Sequence, residues 1–236
     1  MKKMWVALCA WVLLGSVFVH AEEINQLSDA EKAEGWQLLF DGKTADGWHS
    51  FNYKEVLSQW QVIDGVLTLT KGGGGDLVTD KAYGDFDLKW DWKISYRGNS
   101  GVMMHVQEGK GRKYPWLTGP EYQLLDNAHL PEGPIEQAGA LFALYAPTRD
   151  VTKPTGEWNE SRLLVQNGHV KHWMNGELIV EYDLLSEDFT KRVAASKFAT
   201  MPEFAKFSTG GIVLQDHGDP VAFRNVKIHV LDKSKP

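Results

Sequence analysis

The longest unbroken alternation of apolar and polar residues in the chain runs from Asp85 to Ile94. Phe86, Leu88, Trp90, Trp92 and Ile94 share one parity, and Asp85, Asp87, Lys89, Asp91 and Lys93 share the other. Successive side chains of a strand point to opposite faces, so this pattern predicts a strand with one core face and one wet face. Shorter stretches read as strands at 36–40, 59–63, 66–70, 101–107, 140–145, 212–217 and 223–231. Asp64-Gly65, Asn167-Gly168 and Asn175-Gly176 supply tight hairpin turns between apolar runs. A polar lead-in at 22–34 has room for one helical turn started by Ser28. Only between Ser186 and about Lys206 does the period change. Ser186 can cap a helix, Glu187 and Asp188 suit its first turn, and Phe189 and Val193 recur four residues apart. Many strands, frequent hairpins and one clear helix predict an all-β sandwich or jelly roll with a short helical insertion near 186–206. No repeat or low-complexity linker divides the chain, and 236 residues suit one such domain.

In a sandwich, a polar residue opposite a clean core face is a candidate for a ligand groove. After the turn at Gly119-Pro120, Glu121 and Gln123 fall on one face of a strand and Tyr122 and Leu124 on the other. Asp126 has the opposite parity and joins them only through a β-bulge. This spacing leaves open whether the stretch is a site or a solvated face ending in an Asp-Asn turn. On the preceding strand Val102, Met104 and Val106 are expected to look inward, and Met103, His105 and Gln107 to face the open side. Arg97 and Asn99 lie in the loop before it. Near the C-terminus Gln215 and His217 share parity with Val213, while Ile212 and Leu214 take the core side. Asp216 and Asp219 are expected to fix the loop there. Arg224 has inward parity and is expected in a buried ion pair. Lys197, on or just past the helix, is expected to be solvated. The glycine run from Lys71 to Asp76 lacks the following helix and Lys-Ser/Thr pair of a phosphate-binding loop, and reads as a flexible rim loop.

Composition narrows the setting. Lys2 and Lys3, the apolar run 4–19 and Val19-His20-Ala21 form a secretory signal peptide, residues 1–21, too short and wrongly flanked for a stable membrane span. The lone Cys9 lies within it, so the mature domain, 22–236, has no cysteine and no disulfide. Export without disulfides points to a bacterial periplasmic or secreted protein held by its core. Without Lys2 and Lys3, 23 basic residues face 31 acidic ones, which argues against nucleic acid or an anionic membrane as partner. No protein partner is indicated.

The chain also resembles the 3-keto-disaccharide hydrolase family. The resemblance begins with Leu39-Phe40-Asp41-Gly42-Lys43, Gly47-Trp48 and the stretch from Trp60 to Leu67. It continues through Tyr83-Gly84-Asp85-Phe86-Asp87-Leu88, Gly98-Asn99-Ser100-Gly101-Val102 and Gly119-Pro120-Glu121-Tyr122-Gln123. Gly156-Glu157-Trp158-Asn159, His172-Trp173-Met174-Asn175-Gly176, Ser196-Lys197-Phe198, the stretch from Leu214 to Pro220 and Phe223-Arg224-Asn225-Val226 complete it. The order of these short motifs is more specific than any one of them. The resemblance implies a concanavalin-like jelly roll in an exported bacterial protein that acts on a glycoside or disaccharide oxidised at C3 of a glucosyl ring.

A ketone at C3 acidifies the C2 proton, so a base can remove it and the aglycone can leave from C1 by elimination. Water then adds to the enone to give net hydrolysis. Such a site needs a base near C2, an acid near the leaving oxygen and donors at the enolate. Glu121 is the first candidate for the base, with His217 and His105 as acid, base or ligand. Gln123, Arg97, Asn99, Gln215 and Asp126 are candidates for binding the sugar. Neither H-E-x-x-H, nor paired cysteines, nor an EF-hand loop is present, so no strong motif indicates a cofactor. Glu121, His105 and His217 could still converge on a divalent cation. Two other classes stay open: a non-catalytic, lectin-like carbohydrate-binding module, and a glycosidase acting on unoxidised glucans.

Overall fold

The computed structural model describes residues 24–231; the signal peptide expected at the N-terminus lies outside them. A short helix, α1 (Asp29–Glu34), starts on Ser28, whose hydroxyl accepts the Glu31 N–H while the Glu31 carboxylate accepts the Ser28 N–H. This reciprocal cap is the helical turn expected there. Thirteen strands follow: β1 (Gln37–Leu38), β2 (Trp48–Ser50), β3 (Trp60–Ile63), β4 (Val66–Leu69), β5 (Leu77–Thr79), β6 (Phe86–Ile94), β7 (Asn99–Val106), β8 (Glu121–Leu125), β9 (Asn159–Gln166), β10 (His169–Met174), β11 (Glu177–Asp183), β12 (Gly211–Leu214) and β13 (Val221–Val230). Between β11 and β12 lies α2 (Glu187–Ala194), capped by the Ser186 hydroxyl on the Phe189 N–H and followed by a 3-10 turn at Lys197–Thr200.

The strands form two antiparallel sheets, a jelly-roll sandwich as expected. One sheet runs β11-β10-β9-β6-β13-β4-β3, with β1 also paired to β13, and the other runs β2-β5-β12-β7-β8. All five apolar residues of β6 are buried in the core between the sheets. Lys89, Asp91 and Lys93 lie on the outer face, and Asp87 there pairs with Arg162 at 2.7 Å. Trp90 meets Tyr122 of the opposite sheet edge-on at 5.0 Å, and the Tyr122 hydroxyl donates to the Trp173 carbonyl at 2.9 Å. This anchor fixes the inward face of β8 and so sets Glu121 and Gln123 outward. The hairpin turns match expectation, with both residues at positive φ in Asp64-Gly65, Asn167-Gly168 and Asn175-Gly176.

Three expectations are corrected. Residues 140–145 bury Ala140, Leu141 and Leu144 but do not form a strand, because Ala143 turns left-handed at φ 59. The segment instead follows the free edge of β8: Phe142 N–H donates to the Glu121 carbonyl, and Gln123 N–H to the Ala140 carbonyl. The glycine run is pinned rather than loose, since the Asp216 carboxylate accepts the N–H groups of Gly73 and Gly74 at 2.9 and 2.7 Å. On β7 the inward-outward alternation reverses at His105, whose φ of 55 turns Val106 onto the outer face with Met103, Val78 and Val213.

Candidate active site

The outer face of the five-stranded sheet is half apolar and half polar. Phe51, Val78, Met103, Val106 and Val213 pack there with Trp116 against them. Two residues further along each strand, on the same face, lies a polar row. Leu77 pairs with Leu214, Leu214 with Val102, and Gly101 with Gln123. Continuing these registers places Asp76 beside Gln215 and Gln215 beside Gly101, whose carbonyl accepts the Gln215 N–H at 2.9 Å. The row is therefore Asp76, Gln215, Gly101, Gln123, with strand spacings of about 4.8 Å. Gly101 leaves a gap in it. The Glu121 side chain leans into that gap, because a Cβ on Gly101 would lie 2.8 Å from Glu121 Cγ and Cδ.

Above this row is a cavity of about 260 Å³, lined by Asn99, Trp116, Glu121, Gln123, Phe142, Lys197, Phe198, Gln215 and His217. Its walls are aromatic and come from outside the sheet. Trp116 is carried by the 3-10 turn Pro115–Leu117 and stacks on Tyr114 at 4.4 Å. Phe142 comes from the segment along β8. Phe198 is fixed by face-to-face stacking on Phe204 at 3.9 Å, and Lys197 lies 4.0 Å over the Phe142 ring.

The floor is chemically unsatisfied. Three carboxamide oxygens, Oδ1 of Asn99 and Oε1 of Gln123 and Gln215, are buried without a hydrogen-bond partner among the described residues. A buried acceptor without a donor costs about 1–3 kcal/mol, so three in one cavity point to a ligand rich in hydroxyl donors. The Glu121 carboxyl likewise has no hydrogen bond among the described residues. Burial pushes its pKa up to about 8, with the Lys197 charge opposing and the Asp76 charge adding to the rise. Asp76 is itself raised to about 7 by burial, against the Asp216 N–H that donates to it at 3.0 Å and with the Asp216 charge. Two carboxyls with raised proton affinity thus share one face. Asp76→Asn keeps an acceptor for the Asp216 N–H but removes the like charge. It should move the Glu121 titration to lower pH, read by carboxyl carbon chemical shifts; an unmoved midpoint would rule out the coupling.

Of the residues singled out from sequence, the fold brings Glu121, Gln123, Asn99, Gln215 and His217 into this cavity. It takes three elsewhere. His105 is buried on the opposite side of β7, bonds the Gly84 carbonyl at 2.9 Å and meets Phe86 edge-on, because its left-handed backbone turns it off the open face. The convergence of Glu121, His105 and His217 on a cation, which the sequence left open, does not occur, and no group of three or more candidate ligands is found among the described residues. Arg97, also left-handed at φ 53, is exposed and donates its guanidinium to the His129 carbonyl. Asp126 is a buried hub under that loop. It accepts from the Arg97 N–H, the Thr155 hydroxyl and His129 Nδ1, donors that outweigh burial and hold its carboxyl below the usual range. Arg224 pairs with Asp91 at 3.0 Å as expected, but half-buried on the outer face rather than inward, because left-handed Asn225 (φ 54) shifts the register of β13 between Arg224 and Lys227. Sequence reading missed Asp76, Lys197 and the three aromatic walls; the signals available were an Asp closing a glycine run and a Lys beside a buried Phe.

The family profile of the 3-keto-alpha-glucoside-1,2-lyase-like domain matches residues 35–229. A 3-keto-disaccharide hydrolase of Bacteroides thetaiotaomicron is 33% identical over 243 residues, covering 90% of this chain and 84% of that protein. Among solved structures, a candidate glycosyl hydrolase of Parabacteroides distasonis is 43% identical with a TM-score of 0.85, over 89% of this chain and all of the other. A second candidate glycosyl hydrolase from that organism is 26% identical with a TM-score of 0.64, over 83% and 99% of the two chains.

Proposed function

The chain belongs to the 3-keto-alpha-glucoside-1,2-lyase-like domain family, and from that premise we propose that it is an exported enzyme that cleaves the glycosidic bond of 3-keto-glycosides by elimination and hydration. The observation that carries this reading is a desolvated, unbonded Glu121 carboxyl under a cavity floored by three partnerless carboxamide oxygens. Sugar hydroxyls donate to Asn99, Gln123 and Gln215, and the aromatic walls cover the ring faces. The Glu121 carboxylate takes the C2 proton, and the electrons of that bond form the enolate with charge on the C3 oxygen. The enolate then restores the C3 carbonyl, a C1–C2 double bond forms and the C1–oxygen bond breaks. His217, exposed at the rim, gives a proton to the leaving oxygen. Water adds at C1 as its second proton passes to the His217 imidazole, and Glu121 returns a proton to C2, restoring both groups.

Cleavage in D2O tests this directly. Glu121 exchanges its proton with solvent between the two half-reactions, so the 3-keto sugar should carry deuterium at C2, seen by NMR or mass. Protium retained at C2 through early turnover would establish direct displacement instead. One observation favours that second reading: Asp76 and Glu121 are two carboxyls on one face, as hydrolysis of unoxidised glycosides requires.

A further inference from the structure

Proton removal at C2 moves a full negative charge onto the C3 oxygen, and something in the cavity must meet it. The carboxamide oxygens are acceptors, and the NH2 groups of Asn99 and Gln215 are neutral donors that carry no full charge to match an oxyanion. The floor carboxyls repel one. Lys197 is the cation in the cavity lining that makes no ion pair or hydrogen bond among the described residues. We propose that the Lys197 ammonium is the catalytic group that stabilises the enolate oxygen at C3 when Glu121 removes the C2 proton. This inference rests on the reading of the chain as a 3-keto-glycoside-cleaving enzyme and assigns a residue within it.

Placement carries the argument. Across the cavity the order of groups is His217 and Gln215 on the β12 side, the Glu121 carboxyl over Gly101, then Gln123, then Phe142 and Lys197 beyond the free edge of β8. A sugar with C2 above Glu121 has C1 and C3 on opposite sides of it. With C1 toward His217, C3 faces Lys197. The imidazole, the carboxylate and the ammonium thus follow the order of the leaving group, the acidic proton and the ketone.

Lys197 is also held in place. Ser196 caps the 3-10 turn on the Phe198 N–H at 3.1 Å, and the buried Phe198 ring anchors the turn. The ammonium lies 4.0 Å from the Phe142 ring centroid and 5.3 Å from that of Phe198, where the negative ring faces favour a cation. The charges that face it are Glu121 and Glu136, both favouring the protonated form, while partial burial acts the other way and lowers its pKa. The low local dielectric that costs it solvation strengthens its pull on a developing oxyanion. A ketone oxygen in the ground state carries only a partial charge, so the interaction grows toward the transition state and accelerates the step.

The experiment compares Lys197→Met and Lys197→Arg with wild-type enzyme on methyl 3-keto-α-D-glucoside, with a thermal melt to establish folding; Lys197 is exposed and its removal opens no core cavity. The Met variant should lose about 10²–10³-fold in kcat, the range for one lost oxyanion donor, with KM changed only a few-fold. Deuterium exchange at C2 should fall in parallel. Removing the cation also makes Glu121 harder to ionise, so the pH profile of kcat/KM should move to higher pH, which a structural role would not cause. The Arg variant, which keeps the charge, should stay within about tenfold. A Met variant within threefold of wild-type kcat, a loss confined to KM, or borohydride trapping of the sugar on Lys197 would overturn the proposal, the last by making the lysine a nucleophile. Wild-type enzyme that does not cleave the probe would overturn the parent reading and this inference with it.

Discussion

Replacing Glu121 by Gln is expected to lower kcat on a 3-keto-glycoside by about 10²–10⁴-fold, the contribution of a positioned general base, and at the same time to stabilise the fold at alkaline pH. Both effects come from one feature, a carboxyl that burial keeps from ionising until about pH 8. In the unfolded chain it ionises near 4.5. Between those values the native state holds a proton that the unfolded state has released, so stability falls as pH rises, by about 1.4 kcal/mol per unit at most. Below pH 4.5 both states are protonated and this loss vanishes. Gln carries no such charge, and its advantage over wild type should grow from pH 5 to pH 8. A domain of this size gains about 2–4 °C in Tm per kcal/mol, so melting curves across that range resolve it. Activity has its own sign. A base must be ionised, so kcat/KM of wild type should climb with pH and level off above about 8. A profile that falls through the same region would make Glu121 an acid, and a Gln variant with near-wild-type turnover would remove it from the chemistry.

The parts of this site legible in the sequence are those fixed by local alternation. Phe86 through Ile94 declared a core face without help from any other strand, and Tyr122 between Glu121 and Gln123 did the same for β8, because a buried Tyr leaves its neighbours outside. Alternation failed where the backbone departs from extended geometry. His105, Arg97 and Ala143 all have positive φ, each is a residue type that gives little warning of it, and left-handed Asn225 likewise reverses the parity of Arg224. At His105 a left-handed residue sends the next side chain to the face it should have avoided. The other losses were of partnership rather than parity. Asp76 reaches the row through β5 and β12, and Lys197 reaches the cavity through the Phe198–Phe204 stack. Neither approach leaves a periodic trace near the residue itself. What looked like a flexible glycine run is ordered by Asp216, some 140 residues away in sequence, which is why its composition alone suggested the opposite.

Gly101→Ala is expected to remove most activity while leaving every acid, amide and histidine of the site in the chain. A glycine in a strand interior is often explained by backbone conformation, but Gly101 is not among the positive-φ residues, and Ala could adopt its φ and ψ. What it supplies is space. The Glu121 carboxyl occupies the position of the missing side chain, and a methyl group there overlaps its Cγ, Cδ and Oε1. The neighbours cannot yield easily, since Gly101 is held between Gln215, which donates to its carbonyl, and Gln123 on the other side. Glu121 must therefore swing off the row. A displacement of about 1 Å costs on the order of 10²-fold in a reaction that depends on alignment, and overpacking should cost about 1–3 kcal/mol of stability. A double-mutant cycle separates this from damage to β7. If the cost is the overlap with Glu121, Gly101→Ala should destabilise wild type more than it destabilises a Glu121→Ala background, with a coupling of about 1 kcal/mol or more. Equal costs in the two backgrounds would mean that the strand, and not the carboxyl, requires the glycine.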